Sequence, residues 1–156
     1  MKPIILALAA AFAVPAPLLA TSVRAQEQVS APQADAALRA PLEAYLRGHA
    51  TGDPAAFREA FHPEAVLWGI RADGRLARMT AEQYIGGASG SPAADEDRRK
   101  RSIDSIEVNG EMATARITLD YPTVRFVDVM TLIRIEGRWW IINKMFQAHP
   151  PTAAAT

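Results

Sequence analysis

An α+β domain, with helices laid on one side of an antiparallel sheet, is the fold class this sequence predicts, and three observations carry it. Helical periodicity is confined to the first part of the domain. Strand alternation fills the rest. The strand runs are broken by Gly-containing pairs suited to tight reversals. The 156 residues suffice for one compact domain, and neither a repeat nor a second domain is visible.

The chain starts with a segment that stands outside the domain. MKPIILALAAAFAVPAPLLATSVRAQ opens on Lys2, runs apolar from Ile4 to Ala13, and offers Val23-Arg24-Ala25 as a cleavage site. This is the pattern of a secretory signal peptide cut after Ala25. Residues 1–25 are therefore read as signal, 26–34 as a polar tether, 35–148 as the domain and 149–156 as a loose tail. The expected location is across the inner membrane, in the periplasm, with no membrane span after processing, because no stretch nears the ~20 apolar residues of a span.

Composition excludes several classes of function. The chain has 17 basic and 17 acidic residues; removing residues 1–25 takes away Lys2 and Arg24 and no acid, for a net charge near −2. No nucleic acid and no anionic membrane surface is expected as a partner. Cysteine is absent, which rules out disulfides, thiol catalysis and Cys-ligated metal, so the core alone holds the fold.

From Asp35, Leu38, Leu42, Tyr45, Leu46 and His49 fall on one helical face. Asp53-Pro54 is a helix start, an Asp cap with proline at the first position, and His62-Pro63 closes that short helix after about Phe61. AVLWGIRADGRLARM predicts a hairpin around Asp73-Gly74. Thr80-Ala81-Glu82-Gln83 is a capping box that starts a brief helix holding Tyr84 and Ile85. Gly86 to Pro92 reads as a loop, and the charge run Asp95 to Arg101 as a solvated strand entrance. Arg101–Val108 and Glu111–Tyr121 flank Asn109-Gly110, and Thr123–Ile135 and Arg138–Gln147 flank Glu136-Gly137, which predicts two further hairpins.

These turns permit a register count. A two-residue turn at Glu136-Gly137 sets Asp128 opposite Met145, Met130 opposite Asn143 and Leu132 opposite Ile141. A turn at Pro122-Thr123 sets Asp128 opposite Ile117. One side of the sheet then carries Ala113, Ala115, Ile117, Asp128, Met130, Trp139, Ile141, Asn143 and Met145. The other carries Val127, Val129, Trp140, Ile142 and Lys144 and is too apolar for a wet face. Helices are expected on the first side, and a second copy of the chain on the second, through Val129, Trp140 and Ile142. Asp128 is thus expected to face the helices with no Lys or Arg beside it on neighbouring strands. A buried carboxylate needs partners, and Tyr45, His49, His62 and Tyr84 are the polar groups able to reach it.

YLRGHATGDPAAFREAFHPEAVLWGI, DGRLARMTAEQYI and FVDVMTLIRIEGRWWIINKMF, in that order, resemble the family described as putative lumazine-binding, of the nuclear-transport-factor-2-like (SnoaL-like) superfamily. The likeness covers about residues 35 to 147. It implies a cone-shaped α+β fold, a strongly curved antiparallel sheet wrapped on its helices around a pocket, and dimers through the other sheet face. By the family pattern the matching polar positions are His49, His62, Asp128 and Asn143-Lys144. The superfamily includes isomerases, dehydratases, hydrolases, cyclases and pure binding modules, so fold alone does not fix function.

The function expected is binding of a small apolar or aromatic molecule by an exported protein, at a site of Tyr45, His49, His62, Trp68, Tyr84, Asp128, Trp139 and Asn143. Two alternatives stand beside it: a lyase or isomerase with Asp128 as catalytic general base, and a noncatalytic dimeric interaction module. Whether the protein is an enzyme stays open at this point. No cofactor is implied. His49 and His62 lack the close spacing of a strong metal motif, so no metal is expected. Gly87-Ala88-Ser89-Gly90-Ser91 lacks the glycine pattern of a nucleophile elbow, and no phosphate-binding glycine motif is present.

Overall fold

The structure is a computed structural model and describes residues 36–70 and 74–151. The expected signal peptide and tether, and residues 152–156 of the expected tail, lie outside them. Among the described residues no helix is long and apolar enough to cross a membrane.

Helix α1 spans Ala36–Thr51 and α2 spans Pro54–Ala60. The stripe predicted from the sequence is the buried one, with Leu38, Leu42 and Tyr45 at most 2% exposed. Asp53 caps α2 by accepting from the Ala55 N–H at 2.8 Å, which satisfies a donor the helix leaves open. β1 (Phe61–Ile70) and β2 (Leu76–Thr80) form the first hairpin. The capping box then starts α3 (Ala81–Ile85): Thr80 Oγ1 accepts from the Gln83 N–H at 3.2 Å, and Gln83 Oε1 accepts from the Thr80 N–H at 3.0 Å. A short 3₁₀ turn at Glu96–Arg98 leads into β3 (Lys100–Asn109), β4 (Met112–Asp120), β5 (Arg125–Ile135) and β6 (Arg138–His149).

The six strands form one sheet in the order β2-β1-β6-β5-β4-β3. All pairs are antiparallel except β1 with β6, which is parallel. The sheet is therefore mixed, which corrects the expectation of a purely antiparallel one. Tight turns fix direction within each hairpin, but the direction of β1 against β6 is set by the long return through α3 and the following loop. The helices cover one face, and the core lies between Leu42, Tyr45, Phe57 and Phe61 on one side and Ala113, Ala115, Ile117, Met130, Leu132 and Ile141 on the other.

Register agrees with the count in part. Ile117 pairs with Asp128, Ala115 with Met130 and Ala113 with Leu132. The Glu136-Gly137 turn has both residues at positive φ, 51° and 80°, and sets Leu132 opposite Ile141 as expected. Beyond that point a β-bulge intervenes. Thr131 faces Asn143, Met130 faces Lys144, Val129 faces Met145 and Asp128 faces Phe146. One extra residue in β6 resets the alternation of its side chains. Lys144 consequently points to the helix side and is buried, Met145 points outward and is exposed, and Asn143 leaves the inner face. The expectation that Lys144 sits outside and that Asp128 lacks a basic neighbour is overturned by that single insertion.

The Asn109-Gly110 turn shifts too. Asn109 pairs with Met112, so the reversal is made by Gly110-Glu111, one residue later than expected. Ile70 pairs with Leu76 at the end of the first hairpin, and Asp73 of the expected Asp73-Gly74 turn lies outside the described residues. His149 is not in a tail; it closes β6 opposite Arg125 and is partly buried.

Candidate functional site

Polar side chains inside an apolar core carry the chemistry of this fold, and they form one connected chain. Asp128 is 1% exposed. Its Oδ2 accepts from the Tyr45 hydroxyl at 2.6 Å and lies 3.6 Å from Lys144 Nζ. Lys144 Nζ donates to the Tyr45 hydroxyl oxygen at 2.9 Å and to that of Tyr84 at 3.4 Å. The Tyr84 hydroxyl meets His49 Nε2 at 2.8 Å, and His49 Nδ1 meets the Tyr121 hydroxyl at 3.2 Å. Arg101 closes the far end. Its guanidinium donates to Tyr121 at 3.3 Å, to the His49 carbonyl at 3.1 Å, and twice to Glu96 at 2.5 and 2.8 Å.

Every fully buried side-chain N or O atom among the described residues has a partner. A network satisfied in this way is tolerable in a core, whereas a half-satisfied one is not. The rings add to it. Lys144 Nζ stands 4.6 Å from the Tyr84 ring centre, 4.9 Å from Phe146 and 5.1 Å from Tyr45, an aromatic enclosure favourable to a cation. Burial, with Tyr84 and Asp128 nearby, raises Tyr45 well above the usual tyrosine range, so its proton stays available to Asp128. Burial first, then Lys144, Arg101 and Arg99, lower His49 to about 3. His49 is a neutral imidazole at working pH, one nitrogen donating and the other accepting.

The chain reaches the surface at a cleft of about 260 Å³ lined by His49, Phe57, Tyr84, Ala88, Ser89 and Arg99 among others. Its floor is fixed by Gly52, at φ +72°, whose carbonyl accepts from the Gly90 N–H at 2.9 Å. A Cβ at Gly52 would fall 2.2 Å from the Ser91 carbonyl oxygen, so only glycine lets the loop 86–93 lie this close to the end of α1. Arg99 is held by Asp95 at 2.8 Å and lies 4.3 Å over the Tyr121 ring. The charge run expected as a solvated strand entrance is instead partly folded inward, with the Arg101 side chain 9% exposed.

Of the site residues expected from the sequence, Tyr45, His49, Tyr84 and Asp128 come together. The other four do not join them. His62 packs edge-on against Trp140 with ring centres 5.7 Å apart, and its Nδ1 accepts from the Glu64 N–H. Trp68 faces the outer side with the Arg78 guanidinium 5.5 Å over its ring. Trp139 is buried near the other end of the fold, beside a second cavity with Pro41 and Ala44. Asn143 donates to the Val66 carbonyl at 3.0 Å. No group of three or more His, Asp or Glu residues able to hold a metal occurs among the described residues.

Tyr121, Arg101 and its partner Glu96 are members of the network that the expected site does not include, and Lys144, a position the family pattern marks, is expected on the outer face instead. A lysine set in Ile141-Ile142-Asn143-Lys144-Met145-Phe146 is itself a signal, because a strand that is apolar on both sides has nowhere wet to send it.

Residues 33–147 match the family described as "Putative lumazine-binding". Among solved structures, an NTF2-like protein of unknown function from Shewanella baltica OS155 is 27% identical with a TM-score of 0.66, over 73% of this chain and 92% of that one. One from Silicibacter pomeroyi DSS-3 is 28% identical with a TM-score of 0.64, over 73% and 94%. A protein named Aldolase FrzH, from Cladobotryum sp, is 19% identical over 68% of this chain and 84% of its own length. Fold, order of elements and a match across most of the chain agree: this protein belongs to the Putative lumazine-binding family and has the nuclear-transport-factor-2-like fold.

Proposed function

We propose that this is an exported small-molecule-binding protein whose ligand enters the cleft between His49, Tyr84 and Arg99. The observation that supports it is the meeting of a surface cleft with a buried, fully paired polar chain at Tyr84 and His49. Ligand sites combine apolar walls with a few well-placed polar groups; here Phe57 and the Tyr84 ring are wall and the hydroxyl and imidazole are the polar groups. His49 at about 3 is a hydrogen-bonding partner rather than a base near neutral pH.

The reading of Asp128 as an open general base has less support. Its carboxylate is 1% exposed, tied to Tyr45 and ion-paired with Lys144, and a substrate proton would have to displace both. The name of the Cladobotryum relative makes an aldolase activity the enzymatic alternative to assay.

A small-molecule screen by thermal shift tests the binding reading. Hits should raise the Tm of the wild type and lose that effect in Ala88→Trp, which fills the cleft, while Met145→Glu on the opposite sheet face leaves it intact. Hits insensitive to Ala88→Trp would move the site elsewhere. Export is tested separately: mature protein recovered from a Gram-negative periplasm should begin at Gln26, and an uncleaved chain in the cytoplasm would refute the signal.

A further inference from the structure

We propose that Lys144 is a nucleophilic amine that captures small aldehydes from the cleft as an imine. This rests on the reading that the cleft takes a small molecule, and it names the class of that molecule.

Four observations converge on Lys144. It is a lysine 4% exposed on the core side of β6, opposite the fully buried Met130, where packing alone would favour an apolar side chain. Tyr45 joins it to Asp128: the Tyr45 hydroxyl accepts from Nζ at 2.9 Å and donates to Asp128 Oδ2 at 2.6 Å, a ready path for a proton. The Tyr84 hydroxyl, 3.4 Å from Nζ, links the amine to the cleft that Tyr84 lines. The Tyr84 ring packs edge-on to Phe57 and Phe61 and its hydroxyl holds His49 at 2.8 Å, so an aldehyde reaches Nζ only when these contacts shift together. Finally, the rings of Tyr45, Tyr84 and Phe146 surround Nζ. A protonated imine carries the same charge as the ammonium it replaces, so this enclosure and Asp128 suit both.

The step balances within these groups. One proton leaves the Lys144 ammonium and passes through the Tyr45 hydroxyl to Asp128; discharging both members of a buried pair together costs less than discharging one. The free amine attacks the aldehyde carbon, and a proton moves from nitrogen to the former carbonyl oxygen, giving a carbinolamine. Asp128 returns its proton through Tyr45 to that hydroxyl, water leaves, and the nitrogen lone pair forms the C=N bond. The products are one water and a protonated imine facing the Asp128 carboxylate. No oxidant or reductant takes part.

The chain has three lysines, Lys2, Lys100 and Lys144, which makes the test clean. The folded protein is treated with butanal and sodium cyanoborohydride, and butylation is followed by intact mass and peptide mapping. Lys144 should be modified at least ten-fold faster than the exposed Lys100 and the amino terminus. A merely structural Lys144 would react last, and a silent Lys144 beside a modified Lys100 overturns the proposal without any variant. Asp128→Asn keeps a partner for Tyr45 but cannot take the proton, so labelling at Lys144 should slow at least ten-fold with Lys100 unchanged; an unchanged Lys144 rate overturns the proton path. Ala88→Trp should block labelling of Lys144 alone. If Lys144 is silent while non-carbonyl hits still depend on the cleft, the imine fails and the binding reading stands; if no compound binds at all, both fail.

Discussion

At the scale of single residues, three side chains turn the buried network into measurable energetics. His49 is lowered from 6.5 to about 3, chiefly by burial. Its folded pKa lies below its unfolded one, so between those values the unfolded chain binds a proton that the folded chain refuses. The stability this group contributes is complete above about pH 6.5 and is lost as the pH falls toward 3. The lowered carboxylates Glu96 and Asp95 act in the same direction but begin from 4.5 and 3.8, so the interval from pH 7 to 5 belongs to His49 among these groups. Urea unfolding should show about 2 kcal/mol less stability at pH 5 than at pH 7. His49→Gln should flatten that slope, and an equal slope in the variant would mean the imidazole is not responsible. The Asp128–Lys144 pair answers to a different measurement. Lys144→Met strands a carboxylate with Tyr45 as its remaining partner and should cost about 3–5 kcal/mol, while Asp128→Leu combined with Lys144→Met should recover most of it. A double variant as unstable as the single one would show that packing, not charge, dominates the site.

At the scale of elements, close packing between α1 and α2 fixes where the network meets the surface. A Cβ at Gly48 would lie 2.7 Å from the Phe57 ring, and Phe57 is 5% exposed with its ring edge-on to Tyr45, His49 and Tyr84. The ring cannot retreat without moving three others. Gly48→Ala gains up to about 1 kcal/mol of helix propensity but overpacks by about 1–3 kcal/mol, so chemical denaturation should register net destabilisation; a stabilised variant would show the helices free to part. The same elements explain what could be read without coordinates. Tyr45 and His49 share the inward stripe of α1 because helical periodicity states it directly. Asp128 faces Ile117 because the Pro122-Thr123 reversal is tight, with the Tyr121 N–H bonded to the Val124 carbonyl at 3.0 Å. Lys144 was misplaced because Ile142 looks like any other strand residue, and nothing in Trp140-Ile141-Ile142-Asn143 announces an extra residue in the ladder. Arg101 was missed for a related reason: a charge run reads as solvated until a histidine carbonyl and a tyrosine hydroxyl are found beneath it. Local rules recover what turns and periodicity encode. Bulges and long crossovers are settled by the packing of the whole sheet.

At the scale of the whole molecule, the bulge divides the sheet into two unlike faces, and the division points to assembly. The inner face takes the charged pair and the helices. The outer face is left with Ile70 at 50%, Leu76 at 68%, Val129 at 37% and Met145 at 54% exposure, around a cleft of about 490 Å³ that also includes Trp68 and Val127. Apolar side chains clustered in this way are the kind of surface that a partner, a membrane or a ligand covers. We propose that a second copy of the chain covers it, with Val129, Trp140 and Ile142 on the contact, which needs no partner beyond the protein itself. A two-fold contact brings each patch against its twin, so one charge introduced near the axis is placed against its own copy. Light scattering coupled to gel filtration should give twice the chain mass for the wild type and the single-chain mass for Val129→Arg. Because Val129 and the cleft at Tyr84 lie on opposite sides of the sheet, Val129→Arg should still respond to the thermal-shift hits. A wild type that elutes as a monomer would leave the exposed patch without its proposed partner. A variant that loses ligand together with its dimer would instead tie the two faces into one functional unit.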